Sequence, residues 1–297
     1  MKLIKPHFEI LEQQPGIDGI YKMIELAGRT CYKSEDKITE DSAKGFVERM
    51  IKSGHLAMLE HGTVYLYCTY TNTSFMNLAT RYTCNKYSQC NVLDIGDGIY
   101  ITTNLRVLVE NDWLDDLQYI CEPTEYHEKR VTVRFICDRG ILAEFTRHRT
   151  FSFAAESTRY CNYSKDKFNN ELTFILPYWM NNYDLENHKR RIERGDFRYN
   201  EDSTEGSFSF IFGLEEIEDI YISLINEENW KPQQARAILP NALKTELVMT
   251  GFVSNWKHFF ELRCAPSAHP QAQELAIPLK EEFIKRDYIN ETLDSKR

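Results

Sequence analysis

Between residues 147 and 160 the chain concentrates side chains that bind anions. Three arginines, one histidine and two serines occur there, flanked by aromatic residues: Arg147, His148, Arg149, Ser152, Ser157 and Arg159. A guanidinium stays charged at any working pH, and its planar fork of donors fits phosphate or another planar anion. Since no helix or strand needs this mixture for its own stability, the segment predicts a site for a phosphorylated, planar ligand. The alternative interpretation is an exposed set of weak salt bridges with Glu144 and Glu156.

A second group of candidate residues surrounds Arg263. On a helix, this arginine shares a face with three aromatic residues at positions i, i+3, i+4 and i+7: Trp256, Phe259, Phe260 and Arg263. The spacing favours a guanidinium held in an apolar wall and facing a planar ligand. An equally open alternative is that Arg263 lies at the helix end and extends its charge into water. His269 follows closely enough to line the same pocket.

A third group contains His55, Glu60 and His61. Two histidines and a carboxylate are possible metal ligands, but no fixed motif has this spacing, so a metal site is the less favoured interpretation. A histidine at a helix end that contacts a cofactor, or that caps backbone carbonyls, is favoured instead.

The elements that must position these residues follow from hydrophobic periodicity. Helices are predicted over residues 17–27, 41–54, 73–82, 208–225, 242–252, 255–262 and 271–285, with a short one from Asn104. Strands are predicted over 63–70, 99–103 and 131–137. A turn at 138–140 should begin a helix that carries the Arg-His run at its C-terminal end, where the helix dipole favours cations. Residues 151–160 should then form an ordered loop.

Composition limits the class of protein. The 297 residues are 42% hydrophobic with a net charge of −9, which indicates a globular chain and disfavours a nucleic-acid binder. Early strands and late helices predict one α+β domain over residues 1–297, with a charged insertion at about 181–205. No apolar run reaches the roughly 18 residues of a membrane span, and no signal peptide is recognisable. Eight cysteines without a C-x-x-C pair indicate reduced thiols in a cytoplasmic protein.

Taken in order, the three groups resemble the flavin-dependent thymidylate synthases. The signature of that family is Arg-His-Arg, seven residues, then Ser, usually followed by x-Arg-Tyr or x-Arg-Phe. Here it stands as Arg147-His148-Arg149, Ser157 and Arg159-Tyr160. Supporting features recur in the family's order: Gly54-His55, Glu60-His61, Asn104-x-Arg106, Ala235-Arg236-x-x-Leu-Pro, Trp256-x-His258-Phe and Leu262-Arg263. The resemblance therefore extends from about Ala27 to Ala276.

The resemblance implies the family's α+β fold, a mixed sheet with packed helices, in a homotetramer with shared active sites. It also implies a methyl transfer to dUMP, with methylenetetrahydrofolate as the carbon donor and FAD and NADPH as reductants. Arg263 matches the catalytic arginine that polarises the uracil and promotes ionisation at N3. By the same match, dUMP would contact Glu144, Arg147, Glu156, Ser157, Thr158, Arg159, Arg236 and Arg263. FAD would contact His55, Arg147, His148, Arg149, His258, Leu262 and His269, and no metal is expected.

Two departures from the family pattern leave alternatives open. The family often has Asn-Glu where this chain has Ala154-Ala155, so the nearest glutamate is displaced by one place, to Glu156. The segment between Arg263 and His269 is also longer than the common version. One alternative is a catalytically inactive nucleotide-binding relative. A less favoured one is a single-strand nucleic-acid binder that stacks bases on aromatic rings, which the net charge of −9 disfavours.

Overall fold

The structure is a computed structural model that describes residues 1–92, 98–180 and 205–290. Its strands are β1 (Lys2–Ile4), β2 (His7–Leu11), β3 (Thr63–Cys68), β4 (Gln89–Val92), β5 (Ile99–Asn104), β6 (Arg130–Asp138), β7 (Ser152–Ala155), β8 (Thr173–Ile175) and β9 (Lys244–Phe252). Its α-helices are Gly16–Tyr32, Ser42–Lys52, Phe75–Thr83, Leu105–Glu110, Arg139–Phe145, Glu205–Asn226, Pro232–Ala235, Val253–Arg263 and Pro270–Lys285. The predicted charged insertion at 181–205 lies outside the described residues, apart from Glu205, which begins a helix.

The strands divide among three sheets. The largest has the order β2-β6-β9-β7 and is antiparallel throughout, and a second antiparallel sheet has the order β3-β5-β4. The only parallel pairing among the described strands joins β1 to β8. Helices and sheets pack around shared cores, so the α+β class is confirmed, although the strands do not form one mixed sheet.

The predicted helix over 242–252 is wrong, because these residues form β9 at the centre of the largest sheet. Eight of its nine residues are buried, since the sheet is covered on both faces. A strand buried on both faces has no polar–apolar alternation, and its apolar run cannot be distinguished from a buried helix by periodicity. The strand continues directly into the helix Val253–Arg263, so the chain turns from sheet to helix without a loop.

The segment around the Arg-His run also differs from its prediction. The helix ends at Phe145 rather than at His148, and two backbone bonds make a turn: Arg147 N–H donates to Glu144 O at 3.3 Å and His148 N–H donates to Phe145 O at 3.1 Å. Residues 152–155, expected in a loop, are strand β7, which pairs with β9. The Arg-His turn is therefore fixed by a helix on one side and by the main sheet on the other.

The remaining helices agree with the predictions within a few residues. The first is longer than expected, Gly16–Tyr32, because Gly28 does not end it; a Cβ there would lie 2.5 Å from the Phe46 ring, so the glycine permits close helix packing. Asn104 caps the short helix Leu105–Glu110 by accepting from the N–H of Val107. Within the described ranges, no helix is both long and apolar enough to cross a membrane.

The core that supports the site lies between the main sheet and the last two helices. Aromatic rings of β6 and of the neighbouring helices pack against one another within it, with centroids 5.0–5.4 Å apart: Phe135, Phe145, Trp256, Phe259 and Phe283. The Trp256 indole N–H donates to the Val131 carbonyl at 3.1 Å, which ties the helix Val253–Arg263 to β6. Because such interiors are close-packed, this helix holds Arg263 in a fixed position over the sheet.

Candidate active site

The helix that precedes the Arg-His turn is anchored at its start by Asp138. One oxygen of this carboxylate accepts from the N–H of Ile141 at 2.9 Å and caps the helix, and the other accepts from the Gln271 amide at 2.8 Å. Burial raises the pKa of Asp138. The cap connects the helix Arg139–Phe145 to the helix Pro270–Lys285 and thereby fixes the direction in which the Arg-His turn leaves.

Arg263 lies against that turn and donates to it with three of its N–H groups. Its Nε contacts His148 Nε2 at 2.9 Å, one terminal nitrogen contacts Glu144 Oε2 at 2.6 Å, and the other contacts the Glu144 carbonyl at 2.8 Å. Its side chain is 16% exposed and lies over the Phe145 ring. The guanidinium is therefore held in an aromatic wall, and the interpretation that it extends into water is wrong.

His148 is buried and neutral. Burial, together with the nearby charges of Arg263 and His258, lowers its pKa to about 4. Its Nε2 accepts from Arg263, so the ring proton belongs on Nδ1. The His148 ring also packs against Phe259 at 5.0 Å between centroids and lies 6.4 Å from His258. Arg263 is thus held by one carboxylate and one neutral imidazole.

One cavity of about 510 Å³ adjoins His55 and the end of the signature segment. Apolar and aromatic side chains line most of it, together with Arg106 and Glu110: Cys31, Tyr32, Met50, Leu56, Met58 and Tyr160. The rings of Tyr32 and Tyr160 lie 5.1 Å apart and are both exposed. His55 follows the helix Ser42–Lys52, and its backbone N–H donates to the Met50 carbonyl at 3.0 Å. The apolar and aromatic lining of this cavity suits a planar aromatic ligand.

A second cavity of about 580 Å³ has more cations than carboxylates in its wall, although the chain as a whole is acidic. Four cations and two carboxylates line it: Lys86, Arg106, Arg130, Arg149, Glu60 and Glu110. The rings of Phe151 and Phe252 complete the wall, and Phe151 also contacts His148. Arg106 and Glu110 border both cavities, and the Arg106 guanidinium is held by Glu60 at 2.5 Å and by Glu110 at 2.8 Å. The two cavities therefore adjoin one another.

The turn after β7 carries the predicted phosphate-binding groups. Ser157 N–H donates to the Cys31 carbonyl at 3.0 Å, and Arg159 is exposed. Thr158 is buried, with 5% of its surface exposed. Glu156 is also buried; its carboxylate accepts from Lys244 and from Tyr163, each at 2.8 Å.

The salt-bridge interpretation of the Arg-His run is not supported by these contacts. Glu144 pairs with Arg263, and Glu156 pairs with Lys244, so neither carboxylate is committed to Arg147 or Arg149. Both arginines are exposed. In the parts of the chain that are described, no group of three His, Cys, Asp or Glu residues could hold a metal ion.

Several predicted site residues lie apart from these cavities in the single chain. Arg236 is exposed on the short turn Arg236–Ile238, and Leu262 and His258 are exposed on the outer face of their helix. His269 caps the last helix by accepting from the N–H of Gln271. The structure thus brings Glu144, His148 and Arg263 together, with the His258 ring beside His148, and leaves Arg236, Leu262 and His269 on separate surfaces.

Sequence reasoning missed three residues that the structure places at the site: Arg130, Lys244 and Tyr163. Arg130 lines the cationic cavity, and burial lowers its pKa to about 10. In the sequence, the signal for Arg130 was its position as a charged residue directly before the predicted strand 131–137. Lys244 lay within the segment taken for a helix, so nothing in the sequence placed it beside Glu156.

The family model described as "Thymidylate synthase complementing protein" matches residues 16–111 and 123–287. A flavin-dependent thymidylate synthase of Mycolicibacterium gilvum is 24% identical over 269 residues, which are 90% of this chain and 76% of that protein. One from Pyrococcus furiosus is 29% identical over 153 residues, 52% of this chain and 53% of that protein.

Two solved structures are also similar to this chain. Thymidylate synthase X of Helicobacter pylori, crystallised with FAD and dUMP, is 17% identical with a TM-score of 0.40, and the match covers 93% of this chain and 92% of that one. A UMP/dUMP methylase from Streptomyces cacaoi, bound with 5-Br UMP, is 15% identical with a TM-score of 0.44, over 96% and 92% of the two chains.

Proposed function

Because the chain belongs to the flavin-dependent thymidylate synthase family, we propose that it converts dUMP to dTMP. In this proposal methylenetetrahydrofolate donates the one-carbon unit, and NADPH and FAD supply the reduction. The observation that supports it best is the contact of Arg263 with His148 and Glu144, which joins two of the matched motifs in space. Residues more than a hundred positions apart meet where the resemblance requires a catalytic arginine.

The two adjoining cavities fit the chemistry of FAD. Lys86, Arg106 and Arg149 offer donors for a pyrophosphate, and the cavity beside His55 offers rings and apolar side chains for a planar system. When bound, FAD would supply the hydride that completes the methyl group. Arg147, His148, His258, Leu262 and His269 are the further residues that we propose for the cofactor.

Binding of dUMP is assigned to the turn after β7 and to exposed arginines. Ser157 and Arg159 would donate to the phosphate, with Arg147 and Arg236 as further cations. Arg159 is free to turn toward a ligand because its guanidinium lies exposed over the Tyr160 ring, 5.4 Å from its centroid. Several charge-assisted donors that converge from different directions are what a phosphate requires.

Arg263 would stabilise negative charge on the uracil as N3 ionises. A guanidinium is suited to this because it cannot lose its own proton at working pH. Glu144 and neutral His148 hold it before the substrate arrives, so little reorganisation is needed as charge develops. The low pKa of His148 matters here, since a protonated imidazole would repel the guanidinium rather than accept its hydrogen bond.

We also propose a homotetramer that works in the cytoplasm. Arg236, His258 and His269 are exposed and lie away from the two cavities, as expected if a neighbouring subunit completes each site. None of the eight cysteines forms a disulfide bond, which suits a reducing compartment.

The second candidate is an inactive nucleotide-binding relative. It is favoured by the burial of Glu156, because this carboxylate cannot take over a ligand contact from the glutamate that is missing at Ala155. Measurable formation of dTMP would distinguish the active enzyme from the inactive relative.

The experiment is a visible absorption spectrum of the purified protein, recorded before and after anaerobic addition of NADPH with dUMP present. Formation of dTMP is then followed by chromatography after methylenetetrahydrofolate is added. The proposal expects a flavin spectrum that bleaches and a dTMP peak. A flavin that bleaches without dTMP would support the inactive relative, and a protein that takes up no FAD would contradict both the cofactor and the reaction.

A further inference from the structure

A chain of buried ion pairs lies behind the turn that carries Ser157. Lys33 contacts Glu246 at 2.8 Å, Glu246 contacts Lys244 at 2.6 Å, and Lys244 contacts Glu156 at 2.8 Å. The second oxygen of Glu156 accepts from the Tyr163 hydroxyl at 2.8 Å. These residues come from the first helix's end, from β9 and from the signature segment, so the chain connects three distant parts of the fold.

The ion pairs are well shielded from water. The exposed side-chain fractions are 1% for Glu156, 10% for Glu246 and 16% for Lys244. Burial alone would raise the pKa of Glu246, but the charges of Lys244 and Lys33 outweigh it and lower that pKa to about 2. Removing one partner from such a buried set leaves an uncompensated charge, which is strongly unfavourable.

The direction of the Glu156 side chain follows from strand geometry. Its N–H donates to the Glu246 carbonyl at 2.8 Å, which continues the pairing of β7 with β9 by one residue. Neighbouring side chains on a strand point to opposite faces, so a glutamate at 156 faces away from the side that a glutamate at 155 would face. Glu156 therefore points into the protein, where both of its oxygens have partners.

We propose that Glu156 is a positioning residue: through Lys244 and Tyr163 it holds the Ser157–Arg159 turn in the conformation that binds the nucleotide phosphate, without touching dUMP itself. The inference rests on the proposed function and deepens it. It also assigns Lys244 to the same task. The turn begins at the residue directly after Glu156. Its Ser157 N–H donates to the Cys31 carbonyl at 3.0 Å, and the Ser157 carbonyl accepts from the N–H groups of Tyr160 and Cys161, which close the turn.

The test compares the affinities of the holoenzyme for dUMP and for deoxyuridine, measured by isothermal titration. Their ratio isolates the contribution of the phosphate. For E156Q we expect this ratio to fall about tenfold, in the range of one charge-assisted hydrogen bond, while the flavin absorbance per protein stays unchanged. K244M should lower this affinity ratio by the same factor. The double variant should lose less than the sum of the two single losses in binding free energy, because both single changes remove the same Glu156–Lys244 contact.

Two further variants keep the result interpretable. Y163F removes only one hydrogen bond and should lower the affinity ratio of dUMP to deoxyuridine by a smaller factor. If E156Q does not fold, Y163F still tests the positioning role. E282Q removes a glutamate paired with Arg286 on the last helix and should change nothing. In steady state, E156Q should raise KM for dUMP and leave kcat unchanged at saturation.

Unchanged affinity ratios in E156Q and Y163F, with dUMP bound by the wild type, would overturn the positioning role and leave the proposed function standing. Additive losses in the double variant would overturn it too, because they would show that the two residues act independently. A wild type that binds no dUMP would contradict the proposed function itself.

Discussion

Replacing Arg263 with alanine tests the centre of the proposed site. The change removes three donated hydrogen bonds, two to Glu144 and one to His148, together with the positive charge that pairs with the Glu144 carboxylate. Loss of one preorganised donor from a site of this kind lowers turnover by about 10²–10³-fold. Because Arg263 lies outside both cavities, we expect the cofactor to remain bound.

The assay is dTMP formation at saturating dUMP, together with the flavin absorbance of the purified variant. R263K is the matched control: its ammonium keeps the charge but cannot donate to Glu144 and His148 together in the fork geometry, so it should recover only part of the activity. The pKa of His148, followed by NMR, should rise above about 4 in R263A, since Arg263 is one cause of its depression. Normal turnover in R263A would refute the role assigned to the arginine.

Three further expectations can be checked with simple assays. First, the pKa of His148 is lowered to about 4 and that of His61 to about 3, both from 6.5 mainly by burial. The unfolded state then binds more protons below pH 6.5, so the free energy of unfolding, measured with urea, should fall from pH 7 to pH 5; H148Q should flatten this slope. Second, G28A should destabilise the protein by about 1–3 kcal/mol, because its Cβ would meet the Phe46 ring at 2.5 Å; an unchanged urea midpoint would contradict this packing. Third, R149Q should weaken FAD binding, measured by fluorescence, without lowering the melting temperature of the FAD-free protein, since Arg149 is exposed and lines the cationic cavity.

Much of the site could be predicted because its residues lie in short motifs with a fixed order. The face shared by Trp256, Phe259 and Arg263 is a local property of one helix, and the structure confirms it. The helix that leads to the Arg-His turn was also identifiable, because the turn at 138–140 and the apolar residues after it are both local signals. Local patterns of this kind predict the structure correctly because they depend only on residues within a few positions of one another along the chain.

The departure at Ala154 shows why the rest could not be read from the sequence. In the structure Ala154 is 1% exposed on β7 and packs against Ala27 and Val248, so the small side chain there serves the contact between the first helix and the sheet. Sequence comparison alone makes Glu156 look like a displaced version of the family's glutamate. Only the pairing of β7 with β9 reveals that one step along a strand turns the carboxylate to the other face, toward Lys244. That pairing was hidden because β9 is buried on both faces and has a helix-like apolar run. A single misassigned strand therefore concealed both the partner of Glu156 and its role.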